Sequence, residues 1–219
     1  MRPLFELLEH GQSYWLDNLS REMIRSGELR RRVEDEGLRG VTSNPAIFHK
    51  AISAGRAYDE EIASLVGEGL SAPEIYERLV VTDIRDACDV LRPVYDESDG
   101  ADGFVSLEVS PRLIHDTEGS IEEARRLWAA VDRPNLMIKI PGTPAGVPAI
   151  EELLYDGVNV NVTLLFDVPA YDEVARAHLR ALRRRHDDGR PVHGVASVAS
   201  FFLSRIDVLV DALIGHRID

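Results

Sequence analysis

Of the 25 basic residues in this sequence, 23 are arginines and only two, Lys50 and Lys139, carry an amine side chain. Lys139 lies in the run Asn135-Leu136-Met137-Ile138-Lys139-Ile140-Pro141-Gly142-Thr143. Desolvation disfavours an ammonium in the middle of an apolar strand unless it is paired or neutral. Burial favours the neutral amine, and that amine is the nucleophile of Schiff-base chemistry. The competing reading is a structural ion pair with a strand carboxylate, Asp17 or Glu108. The scarcity of lysine weighs for the nucleophile. Asp17 and Glu108 end two other apolar runs. Condensing an amine with a ketone moves protons at several steps, which suits two carboxylates in different environments. Asp17 could instead cap a helix over Leu19 to Ile24, a role for which Ser20 competes. Thr42 and Asn44 in one segment, and Asn161 and Thr163 in another, offer hydroxyls and amides that can orient a polyhydroxylated ligand. Asn44-Pro45 is equally a turn opener. Ser197, Ser200 and Arg205 bracket a sixth run, and an arginine beside a helix N-terminus suits an anion.

The elements that must position these groups read as β and α in alternation. Short runs rich in Val, Ile and Leu mark six strands. They are Tyr14-Trp15-Leu16, Gly40-Val41, Phe104 to Leu107, Leu136-Met137-Ile138, Val158-Asn159-Val160 and Val192 to Val198. Runs of this kind, bounded by turn residues, suit strands buried on both faces of a parallel sheet. Helix signals fill the intervals. Ser71-Ala72-Pro73-Glu74 is a capping box that opens a stripe of Ile75, Leu79, Ile84, Cys88 and Leu91. Ser120-Ile121-Glu122-Glu123 reads as a second box. Asp172 and Glu173 early, with Arg183 to Arg185 late, complement the dipole of a third helix. Extra helices are expected between the second and third strands, over Ala46 to Leu70. The fold class is therefore α/β. An open nucleotide-binding sheet would show a Gly-rich turn after a strand, and neither G-x-G-x-x-G nor G-x-x-x-x-G-K-[ST] occurs. Single reactive residues after many strands point instead to a TIM (β/α)8 barrel, with about six of its eight units in residues 1–219, read as one domain.

Composition narrows the function. With 38 acidic residues the net charge is −13 at pH 7, which disfavours nucleic acid and anionic membrane as partners. No apolar run approaches the ~20 residues of a membrane span, and Met1-Arg2-Pro3-Leu4 opens no signal peptide, so a soluble cytoplasmic protein is expected. The single cysteine, Cys88, forms no internal disulfide and reads as helix core. His115-Asp116 with Glu118 lacks a second ligand cluster, so no metal is expected. The arginines from Arg176 to Arg190 read as the solvated face of a helix.

Taken together and in order, several stretches resemble the transaldolase family. They are Trp15-Leu16-Asp17, Gly40 to Pro45, Ser106-Leu107-Glu108-Val109, Ile138 to Thr143, Asn161 to Phe166 and Ser204-Arg205-Ile206-Asp207. The opening Glu9 to Asp17 is similar to the longer bacterial members, including those fused to glucose-6-phosphate isomerase. The resemblance implies a transferase of the pentose phosphate pathway, in which Lys139 forms a Schiff base with the C2 ketone of fructose 6-phosphate or sedoheptulose 7-phosphate. Asp17 would take the C4 hydroxyl proton as the C3–C4 bond breaks. The dihydroxyacetone unit would then pass to glyceraldehyde 3-phosphate or erythrose 4-phosphate. Glu108 and Thr163 would hold a proton-shuttling water. Asn44 and Asn161 would orient hydroxyls with Thr42 and Ser197 nearby, and Ser200 and Arg205 would meet phosphate. No metal or organic cofactor is implied.

The resemblance also implies two further strands after Asp219, so the chain is expected to be the front part of a longer transaldolase with little activity alone. Its open edges are expected to pair with other chains, as a homo-oligomer or an aggregate. A related fructose 6-phosphate aldolase is the runner-up. That group carries Gln where Glu108 stands and Tyr where Phe202 stands, and both positions favour transfer. A fragment that must pair with a missing piece is the third reading.

Overall fold

The computed structural model describes residues 3–218. In chain order the elements are α1 (Pro3–Glu9), β1 (Tyr14–Asp17), α2 (Arg21–Arg25), α3 (Glu28–Glu36), β2 (Leu38–Thr42), α4 (Pro45–Ala54), α5 (Asp59–Gly67), α6 (Ala72–Glu97) and β3 (Phe104–Glu108). A 3-10 turn (Pro111–Leu113) precedes α7 (Thr117–Val131), β4 (Leu136–Pro141), α8 (Gly146–Asp156), β5 (Val160–Leu165), α9 (Val168–Asp187), β6 (Ser197–Phe201) and α10 (Leu203–Ile218). The strands are hydrogen-bonded in chain order, β1-β2-β3-β4-β5-β6. The fold is α/β with parallel strands and helical crossovers, the repeating unit of a (β/α)8 barrel. Two compact units are distinguished, Met1–Glu108 with Ala124–Ile138, and Val109–Glu123 with Lys139–Asp219.

In the first unit, β1 pairs with β2 and β2 with β3. Trp15 lies level with Gly40, and a Cβ on Gly40 would sit 2.3 Å from the indole ring, so only glycine leaves room for it. The extra helices expected over Ala46 to Leu70 are α4 and α5, which precede α6. The stripe on α6 is buried as its spacing requires, and Glu74 Oε2 accepts from the Ser71 N–H at 2.8 Å and from its Oγ at 2.5 Å. Cys88 is core, its thiol pushed up by burial. Ser20, not Asp17, caps the helix after β1, accepting from Met23 N at 3.2 Å.

The same unit holds a buried ionic cluster that periodicity alone does not announce. Arg21 Nε donates to Asp83 Oδ1 at 2.7 Å, and Tyr58 OH donates to Asp83 Oδ2 at 2.7 Å. The Arg21 guanidinium also meets Glu61 and lies 4.3 Å from the Tyr58 ring centroid. Arg21, Asp83 and Tyr58 are all buried. Burial raises the Asp83 carboxyl above the ordinary carboxylate range, although Tyr58 and Arg21 pull it down. The cluster ties α2, α5 and α6 together. The sequence does carry a signal for it: Asp83 stands four residues after Leu79 on the apolar stripe of α6.

In the second unit β5 pairs with β6, and α8 packs on α9. Both strands start later than the apolar runs indicate. β5 begins at Val160, after Val158 and Asn159, and β6 begins at Ser197. Asn159 instead sets the entry to β6, its Oδ1 accepting from Ala196 N at 2.9 Å. The expected capping box at Ser120 does not form. Asp116 accepts from Gly119 N at 2.9 Å, and Ser120 Oγ turns back to Asp116 O at 2.7 Å inside α7. Asp167 caps α9, accepting from Ala170 N at 2.8 Å. The arginine run is only partly solvated. Arg185 is buried, donating to Tyr155 O at 2.7 Å and Pro191 O at 2.8 Å.

Replacing Asp83 by Ala leaves the Arg21 charge buried without its main partner and should cost about 3–5 kcal/mol in urea unfolding. Adding Arg21→Met should recover part of that loss. A double variant as unstable as the sum of the two single ones would show that the pair is not coupled.

Candidate active site

Each sequence-derived residue is placed by its strand. In the first unit Asp17 ends β1, level with Thr42 at the end of β2, and Thr42 is level with Ser106 in β3. Register partners in a parallel ladder project to the same face, so Asp17, Thr42 and Ser106 form one row. Glu108, two residues beyond Ser106, shares that face at the end of β3. Asp17 is exposed and Glu108 half-buried. Thr42 Oγ1 is buried and has no hydrogen-bond partner among the described residues. A buried hydroxyl in that state is suited to a water or a ligand. Ser43 Oγ donates to Ser106 O at 2.8 Å, which joins the ends of β2 and β3. Asn44 caps α4, its Oδ1 accepting from Ile47 N at 3.0 Å with Pro45 in the first turn. The turn role raised by Asn44-Pro45 is therefore real, and it holds the Asn44 side chain at the mouth of β2.

In the second unit Lys139 is 5% exposed on β4, a strand buried along its whole length. Ile138 and Ile140 beside it are completely buried. Gly142 N donates to Thr163 O at 2.7 Å, which seats the end of β4 against β5. Asn161 and Thr163 are buried and alternate along β5 to the same face. Ser200 Oγ donates to Asn161 Oδ1 at 2.8 Å, which orients the Asn161 amide. These residues fall inside β5 and β6, not after them. Ser197 opens β6, level with Val160, whereas Asn161 is level with Val198. Ser197 therefore projects away from the face shared by Asn161 and Ser200, contrary to the expected grouping. Arg205 is exposed in the first turn of α10, its guanidinium 4.5 Å from the Phe202 ring centroid.

Two features here carry no sequence signal. Leu164 adopts φ 59°, a left-handed conformation that a leucine rarely takes, and the β5–β6 register shifts between Val162 and Leu165. Phe166 stacks on Phe202 with ring centroids 5.2 Å apart and planes at 16°.

The second unit thus offers a buried primary amine, an oriented amide and a hydroxyl. The first unit offers two carboxylates, an orphaned hydroxyl and an amide. Among the described residues no group of three or more His, Cys, Asp or Glu could hold a metal ion, and no helix is long and apolar enough to cross a membrane.

The Tyr76 phenol on α6 is held above its ordinary value, first by burial and then by the Glu108 charge. Glu108→Gln removes that charge, so the phenolate forms more easily and the Tyr76 pKa should fall, while burial keeps it above about 10. Tyrosinate absorbance titrations, differenced against Tyr76→Phe, read this shift. An unchanged value would show that Glu108 carries no charge near the phenol.

The sequence model of the transaldolase/fructose-6-phosphate aldolase family matches residues 14–217. A protein named transaldolase 2 from Nostoc punctiforme is 54% identical over 204 residues, covering 93% of this chain and 54% of the relative. A transaldolase from Trichodesmium erythraeum is 51% identical over 215 residues, covering 98% and 57% respectively. One from Frankia alni is 50% identical over 210 residues, covering 96% and 57%. The chain thus spans little more than half the length of these relatives. With six parallel βα units and this match over nearly all of its length, the chain belongs to the transaldolase/fructose-6-phosphate aldolase family.

Proposed function

We propose that this chain carries the covalent chemistry of a transaldolase, moving a dihydroxyacetone unit between sugar phosphates in the cytoplasm, with residues 1–219 acting as one barrel-type domain. The observation that carries the reading is Lys139, an amine 5% exposed in a fully buried strand of a chain with only one other lysine. The neutral amine attacks the C2 ketone of the donor, fructose 6-phosphate or sedoheptulose 7-phosphate, to give a carbinolamine. Loss of water then yields the iminium. Glu108 and Thr163 move protons through a water in these steps. Asp17 takes the C4 hydroxyl proton, the C3–C4 bond breaks, and its electron pair enters the iminium to form an enamine while the aldehyde leaves. The enamine carbon attacks the acceptor aldehyde, glyceraldehyde 3-phosphate or erythrose 4-phosphate, and water releases the product from Lys139. Asn44 and Asn161 orient hydroxyls, the latter steadied by Ser200, and Thr42 supplies its orphaned hydroxyl. Arg205, with Ser200 nearby in β6, meets the phosphate. Ser197 has no part in this reading because it faces the other way. Glu108 and Phe202, by their resemblance to the transferase pattern, favour transfer over release of dihydroxyacetone.

Self-association is the further part of this reading. Leu203, Val208, Leu209, Leu213 and Ile214 of α10 are all exposed, an apolar surface of the kind that pairs with another chain.

Borohydride reduction in the presence of fructose 6-phosphate should fix a three-carbon adduct on Lys139, located by peptide mass spectrometry. Label on Lys50, or on neither lysine of an active preparation, would sink the reading. Lys139→Arg should give no adduct, because guanidinium remains protonated. Asp17→Asn should still form the Schiff base with intact donor but slow cleavage by about 10²–10⁴-fold, whereas Glu108→Gln should slow Schiff-base formation itself. The opposite pattern of trapping rates would exchange the two roles. Leu209→Glu with Leu213→Glu should shift the chain to a smaller species in size exclusion; an unchanged elution would remove α10 from the interface.

A further inference from the structure

Phe166 is 43% exposed, yet it is not a stray surface aromatic. Its ring lies nearly parallel to Phe202, and the Phe202 ring also meets the Arg205 guanidinium, 4.5 Å from the centroid. The three groups form a stack in the order Phe166, Phe202, Arg205. The backbone is arranged to build it. Leu164 takes its left-handed turn within β5, and the register to β6 resumes at Leu165 opposite Phe201. Phe202 N then donates to Leu165 O at 3.1 Å, so the residue following each strand, Phe166 and Phe202, is brought ring to ring. An extended Leu164 would turn the following residue toward the opposite face, and the stack would not form.

We infer that Phe166 is a positioning residue. Through Phe202 it holds the otherwise exposed Arg205 guanidinium in one orientation for the phosphate of the sugar substrate. This rests on the proposed role of Arg205 as the phosphate-binding arginine. A long exposed side chain loses rotamer freedom when it grips an anion, and a preformed stack removes part of that loss before the ligand arrives. Stacking on a ring face leaves the edge N–H donors of guanidinium directed outward in the plane, the geometry that phosphate oxygens require.

Phenylglyoxal labelling of the 219-residue chain, read at Arg205 by peptide mass spectrometry, tests this without requiring turnover. Inorganic phosphate is the probe. It should protect Arg205 in the parent chain. In Phe166→Leu the phosphate concentration for half-protection should rise about 2–10-fold, the factor corresponding to loss of the Phe166–Phe202 aromatic pair. Phe166→Tyr keeps the ring and should retain the parent value, a rescue that loss of apolar volume alone would not predict. Thermal melts of all three chains accompany the labelling, so that unfolding is not mistaken for lost positioning. Equal half-protection in the parent and Phe166→Leu would overturn the positioning role while leaving the phosphate role of Arg205 intact. Failure of phosphate to protect Arg205 in the parent chain would overturn both.

Discussion

An amine held out of water inside a parallel sheet is the constraint around which this molecule is organised. Lys139 sits between isoleucines that are themselves completely buried. Such a position is stable only if the strand around it is rigid and its backbone is fully paired. β4 is buried from end to end, and just past its exit Gly142 N donates to the carbonyl of Thr163. The turn that follows is equally fixed. A Cβ on Gly146 would fall 1.8 Å from the Pro141 carbonyl oxygen, so the chain leaves β4 by a path only glycine can follow.

Arginine does the structural electrostatics, and the division of labour has a chemical logic. Arg133 forks onto Asp89 at 2.5 and 3.0 Å, Arg180 and Arg184 hold α9 against the glutamates of α8, Arg21 pairs with the buried Asp83, and the buried Arg185 donates to the Tyr155 carbonyl. Guanidinium suits these tasks because it offers several donors in a plane and stays protonated. For the same reason it is no nucleophile toward a carbonyl carbon. A chain that uses arginine for nearly every cation keeps its nucleophilic amines to two without giving up ion pairs.

Polar side chains near the strand ends divide into those that shape backbone and those left for a ligand. Ser20, Asp116 and Asp167 are absorbed by helix starts, whereas Asn44 caps α4 through Oδ1 alone. Ser43 and Asn159 tie one strand end to the next. Ser200 orients Asn161, and Thr42 Oγ1 is left unsatisfied. A group without an internal partner and a group steadied by a neighbour are the two states expected of residues that meet substrate, the first as a donor in reserve and the second as a fixed guide.

The sequence by itself determined the α/β alternation, six strands, the capped apolar helix from Ser71, and the singular position of Lys139. These follow from periodicity, composition and short-range capping, which act over a few residues. It also placed Asp17 and Glu108 at strand ends, although only the register shows that they share a face with Thr42. Tertiary structure alone decided the starts of β5 and β6, because a strand begins where its neighbour can accept its hydrogen bonds and not where apolar residues begin. It decided that Asp116 outcompetes Ser120, since the turn beginning at Pro111 presents the aspartate first. It turned Ser197 away from Asn161, bent β5 at Leu164 and stacked Phe166 on Phe202. The Arg21–Asp83 pair joins residues 62 positions apart. Contacts at such separations, and the side of a sheet on which a residue emerges, depend on partners the local pattern does not contain, so only the folded chain selects them.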